Sequence, residues 1–153
     1  MPTIAKRLSC LCLCLISAAV AQAGGKPETP ATLPGGTVIS VEEGLRLLQA
    51  GSATFIDTRN PLNFGKGHVP GARAVAYREK SAYAVDFDAS VDHFALDRLP
   101  GDTSAPLVFY SDGPTGWKSY KAAMMAIRHG YGKVNYMRGG WADWRAADLP
   151  VER

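Results

Sequence analysis

Ser111 stands at the end of an apolar run, Pro106 to Tyr110. It opens a polar loop made of Asp112, Gly113, Pro114, Thr115 and Gly116, which passes through Trp117 and Lys118 into a helical pattern. A strand feeding such a loop can present a nucleophile or hold an anion. As a nucleophile, Ser111 would need a general base within reach and an acid to orient that base. The histidines available are His68, His93 and His129. His129 falls at the far end of the helix that follows, roughly 20 Å away at ~1.5 Å per helical residue. The residues therefore read as a loop in which Ser111 bonds to its neighbours, not as a hydrolase triad. As an anion cradle, the loop would act through its backbone N–H groups, with Lys118 adding charge and Asp112 opposing it. Asp57 and Arg59, at the end of another strand, read as a supporting pair that ties loops together. The three histidines lack metal-ligand spacing, and no metal or cofactor is expected.

Cysteine chemistry depends on where the chain is cut. Cys10, Cys12 and Cys14 are its only cysteines. They lie within a segment with the marks of a secretory signal. Lys6 and Arg7 form a basic start, Leu8 to Val20 an apolar stretch too short to span a membrane, and Ala21-Gln22-Ala23 a cleavage site. Residues 1–23 are thus expected to be a signal peptide, with an exported chain starting at Gly24. That chain would hold no thiol and no disulfide. Of 17 basic residues, 15 would remain against 14 acidic ones, a net charge of +1. Such a balance gives no ground for nucleic-acid binding, and no membrane contact is expected after cleavage.

The elements that must position these residues follow from pattern. Residues 24–36 are rich in Gly, Pro and Thr and read as a flexible lead-in to a domain over 37–153. Ser40 to Glu43 is a capping box, and Val41, Leu45 and Leu48 share one face of the helix it starts, which Gly51 ends. Residues 53–56 read as a buried strand with Asp57 at its end, 57–72 as a loop, 72–76 as a second strand, and 77–88 as ambiguous. Residues 90–99 suggest a helix with Val91, Phe94 and Leu99 turned inward. The 106–110 run is the clearest strand. The helix over 116–129 carries Trp117, Tyr120, Met124 and Ile127 as one buried stripe. Residues 133–137 form a last strand, and Gly139-Gly140-Trp141 turns into a terminal helix. Strands alternating with helices predict an α/β fold, with a mostly parallel sheet of about five strands flanked by helices on both faces.

Several of these segments together resemble the rhodanese family. The early match is Asp57-x-Arg59, then Phe64-x-x-Gly67-His68-Val69-Pro70-Gly71-Ala72. The late match is Gly130-Tyr131, Arg138-Gly139-Gly140-Trp141-x-x-Trp144 and Asp148-Leu149-Pro150-Val151. The matches lie in order over residues 37–151. The resemblance implies a rhodanese-like fold and sulfur transfer by a loop Cys that carries a persulfide. The loop here is most similar to a periplasmic subgroup reading C-x-G-P-x-C-W-x-S, associated with quinoprotein alcohol oxidation. Gly113, Pro114, Trp117 and Ser119 match, while Ser111 and Gly116 replace both cysteines. The loop is also longer than the usual rhodanese loop.

A serine hydroxyl cannot stand in for the thiolate, because it is a far weaker nucleophile and its oxygen cannot carry sulfane sulfur. The expectation is an exported, periplasmic, non-catalytic rhodanese-like domain that binds a partner protein or a small anion at the loop. The alternative is a sulfurtransferase-family protein of periplasmic sulfur or redox metabolism linked to quinoprotein alcohol oxidation.

Overall fold

A computed structural model describes residues 25–153, so the expected signal peptide lies outside the described residues. The chain builds β1 (Thr37–Ile39), α1 (Val41–Gln49), β2 (Thr54–Asp57), α2 (Pro61–Lys66), β3 (Arg73–Ala74), β4 (Leu107–Tyr110), α3 (Trp117–Arg128), β5 (Val134–Met137) and α4 (Gly140–Ala146). All five strands run parallel, in the order β1-β5-β4-β2-β3. Every strand therefore points its carboxyl end to the same rim of the sheet, where the loops after β2 and β4 leave side by side.

The central strand β4 is buried along its whole length, as a parallel strand covered on both faces must be. Its side chains alternate between two cores. Leu107 and Phe109 join Ile56, Tyr136 and the stripe of α3, while Val108 and Tyr110 join Phe55, Met137, Trp144 and Val41 of α1. The α1 capping box is complete: Ser40 Oγ accepts the Glu43 N–H at 3.2 Å, and Glu43 Oε2 accepts the Ser40 N–H at 2.8 Å.

Four expectations need correction. The 57–72 segment is not all loop: Asn60 caps a short helix, its side chain accepting the Asn63 N–H at 2.8 Å, with Pro61 at the first helical position. Residues 90–99 form no α-helix. Two single 3-10 turns, Ala89–Val91 and Leu96–Arg98, replace it, and Val91 is exposed while Phe94 and Leu99 are buried. β1 adds a short edge strand where no strand is expected. The lead-in is not flexible along its length: Thr29 and Leu33 are buried against the domain. Thr29 bonds to Pro114 in the loop after β4, and Leu33 joins the core.

Candidate functional site

Ser111 follows directly from β4 and is 1% exposed. Its hydroxyl donates to Gly116 O at 3.0 Å and lies 2.9 Å from Ser119 Oγ, which also donates to Gly116 O at 3.0 Å. Two hydroxyls thus converge on one carbonyl inside the loop. No histidine bonds to Ser111 among the described residues. The oxygen is turned inward and satisfied, and nothing is placed to take its proton. Gly116 is required by this arrangement, since a Cβ there would collide with Ser111 Oγ. The loop closes with a Gly116 N–H to Gly113 O bond of 2.7 Å.

Two neighbours clamp the loop from outside. The start of α4 approaches closely enough for the Trp141 and Ala142 N–H groups to donate to Ser111 O (2.8 Å) and Asp112 O (2.9 Å). Gly140 permits this with φ +57°, and a Cβ there would lie 2.5 Å from Ser111 O. From the other side, Thr29 donates through both N–H and Oγ1 to Pro114 O (2.8 and 2.9 Å), and its Oγ1 is 2.8 Å from Tyr136 Oη. Arg138 donates to Thr29 O through Nε and Nη2 and pairs with Glu28 at 2.7 Å. The Trp117 indole N–H donates to Pro27 O at 2.8 Å, so residues 27–29 lie across the loop as a strap. Asp112 and Thr115 stay exposed, and Pro114 and Lys118 are half-buried.

The loop after β2 holds Asp57 and Arg59, both nearly inaccessible. The guanidinium meets Asp57 through Nη2–Oδ2 (2.6 Å) and Nε–Oδ1 (3.0 Å), and Nη2 also donates to Gly67 O at 2.7 Å. It lies 4.6 Å from the Trp141 ring centroid, a stacking cation–π contact. Burial alone would lower the Arg59 pKa, but the Asp57 carboxylate outweighs it and holds the guanidinium above its ordinary value. Beside it, burial pushes the Tyr110 phenol far above its ordinary range, with the Asp57 charge adding to the effect. Its hydroxyl oxygen accepts the Val69 N–H at 3.1 Å.

A family model described as the rhodanese-like domain matches residues 40–147. The chain belongs to that family. It is similar to the thiosulfate sulfurtransferase GlpE of Pseudoalteromonas translucida, with 28% identity over 109 residues, covering 71% of this chain and 89% of that protein. The protein of the same name from Pseudomonas aeruginosa is 32% identical over 104 residues, covering 68% and 80%. Among solved structures, BH2092 of Bacillus halodurans matches with TM-score 0.58 at 19% identity, covering 76% of each chain. The Alr3790 protein of Anabaena matches with TM-score 0.57 at 21% identity, covering 74% and 79%. These structural likenesses show the rhodanese-like fold.

Within that fold, the loop residues Ser111 to Lys118 are gathered at one place, with Asp57 and Arg59 in the neighbouring loop. His68 is a packing residue: it stacks on Phe64 with centroids 3.7 Å apart, and its Nδ1 is 3.0 Å from Phe64 O. Trp144 is fully buried, with its N–H donated to Pro150 O. Sequence reasoning missed Ser119 as the partner of Ser111, Thr29 as the strap's anchor, and Lys121. Lys121 is wholly buried, 2.9 Å from Ser81 Oγ and 3.5 Å from Glu79. A Lys inside an apolar helix stripe was the available signal for it.

Proposed function

We propose that this chain is an exported rhodanese-like domain without sulfurtransferase chemistry, whose former active-site loop is a docking face. The occupant would be a partner protein, with a small anion as the lesser candidate. One observation carries the reading: the atom at the family's sulfur-carrying position is the Ser111 hydroxyl, buried and committed to Gly116 O and Ser119 Oγ. Residues 25–153 contain no cysteine to take its place. The partner reading is preferred over the anion because Asp112 presents an exposed carboxylate at the loop, and Thr29 and Trp117 fill its flank. Transfer of sulfur from thiosulfate to cyanide by the chain from Gly24 tests this. Turnover indistinguishable from a loop-deleted control is expected; turnover above that control contradicts the proposal.

A second reading, as a sulfurtransferase-family protein of periplasmic sulfur or redox metabolism linked to quinoprotein alcohol oxidation, is favoured by one feature. Positions 111 and 116, where the resembled subgroup has its two cysteines, adjoin in space. If this loop is a disarmed version of such a site, the Ser111→Cys variant gains donor-dependent persulfide. If the loop has lost its sulfur-accepting shape, it does not.

A further inference from the structure

A cleft of about 210 Å³ opens at the β3 edge of the sheet, two strands away from the loop that follows β4. Arg78, His93 and Arg98 line it, with Val75 and Ala95 among its apolar walls and no carboxylate in the lining. The ion pairs of the described residues involve Lys26, Arg59, His68, Lys121 and Arg138, and neither Arg78 nor Arg98. The nearby acids are committed elsewhere. Asp92 accepts from Tyr77 Oη, Ser81 Oγ and the Lys80 and Ser81 N–H groups at 2.6 to 2.8 Å. Glu79 pairs with Lys26 and Lys121, and Asp97 lines an adjoining cavity that shares His93 and Ala95 with this cleft.

The backbone that carries two of these side chains is held in place. Arg78 and His93 form an antiparallel bridge, each N–H donating to the other's carbonyl at 2.9 Å. Residues paired in this way project their side chains to the same face. Arg98 comes from the 3-10 turn Leu96–Arg98, just beyond Ala95 of the cleft wall. Two arginines and a histidine thus line one small space together with Val75 and Ala95. Guanidinium matches planar oxyanions through paired N–H bonds, and apolar walls accept a short hydrocarbon body.

We propose that this cleft binds a small organic anion, a carboxylate or sulfonate bearing a short apolar chain. The site is separate from the loop around Ser111, and its occupancy does not depend on what that loop does. Titration of the 15N-labelled full-length chain with butyrate or propanesulfonate tests it, with butyramide as the neutral analogue and inorganic sulfate as the anion without a body. Saturable shifts are expected at Arg78, His93, Ala95 and Arg98 with both organic anions, and none with butyramide. Because both arginines are exposed, Arg78→Gln and Arg98→Gln should keep the native spectrum and weaken binding roughly tenfold each. Any of three results overturns the proposal: no saturation, an equal response to butyramide, or affinity unchanged in both variants. Sulfate binding as tightly as butyrate would overturn the apolar part of the assignment.

Discussion

The loops after β2 and β4 leave adjacent parallel strands at the same rim of the sheet, and both carry residues of the family pattern. At the end of β2, the side chains that the pattern names form a buried ion pair. Asp57 and Arg59 are buried together, and the guanidinium ties the Gly67 carbonyl and the Trp141 ring to them. In the β4 loop, on the proposed reading, the Ser111 hydroxyl stands where the reactive sulfur would be. Ser111 and Ser119 turn inward onto Gly116 O, and α4 and the strap hold the outside. The frame around the site therefore rests on interactions that never required the thiol. On the proposed reading, the loop's architecture outlasts its chemistry because the two depend on different atoms.

The largest expected effect lies in the β2 loop. Arg59→Ala leaves the Asp57 carboxylate buried without its partner and frees the Gly67 carbonyl, and should cost about 3–5 kcal/mol in urea unfolding. A cost below about 1 kcal/mol, the range of exposed pairs, would erase the contrast between the loops. Next is Gly140→Ala, which combines a positive φ with a Cβ pressed on Ser111 O. It should cost about 2 kcal/mol by the same measurement, and an unchanged midpoint would show that α4 does not clamp the loop. Ser111→Ala should cost only about 1 kcal/mol, because Ser119 still donates to Gly116 O. If it cost as much as Arg59→Ala, the β4 loop would be a structural keystone rather than a vacated site.

The mildest perturbation concerns neither loop and serves as their control. Burial would raise the Asp92 pKa, but its bonds from Ser81 and Tyr77 outweigh that and bring it down to about 2 from the ordinary 3.8. Because the folded value is depressed, the stability Asp92 contributes is present above about pH 4 and lost as pH falls towards 2. An acid titration of wild type against Asp92→Asn should show that part of the loss only in wild type. Coincident curves would remove Asp92 as the hub of the 77–92 segment.

Local signals made much of this fold legible. The capping box at Ser40, the apolar run before Ser111 and the stripe from Trp117 to Ile127 each specify an element without help from the rest of the chain, and each is where its pattern puts it. Features set by tertiary contact were not legible. β1 is three residues long and exists through its pairing with β5. The 90–99 segment carries apolar residues at helical spacing, yet Asp92 is drawn into bonds with residues 77–81 and the chain breaks into two tight turns. The strap is the clearest case. Gly, Pro and Thr composition reads as loose chain, while Thr29 is fixed by Pro114, Tyr136 and Arg138, distant in sequence. At the candidate site, the residue types at positions 111 and 116 could be read directly. The inward turn of Ser111 needed Ser119, eight residues further on in the first turn of α3, to be in place.

The central claim is that the β4 loop keeps a site's shape without its chemistry. Intact-mass measurement after thiosulfate treatment of the chain from Gly24, wild type beside Ser111→Cys, tests it most directly. The account predicts no added sulfur on wild type. Sulfur added to the wild-type chain in a reductant-sensitive form, matching any gain on Ser111→Cys, would contradict it.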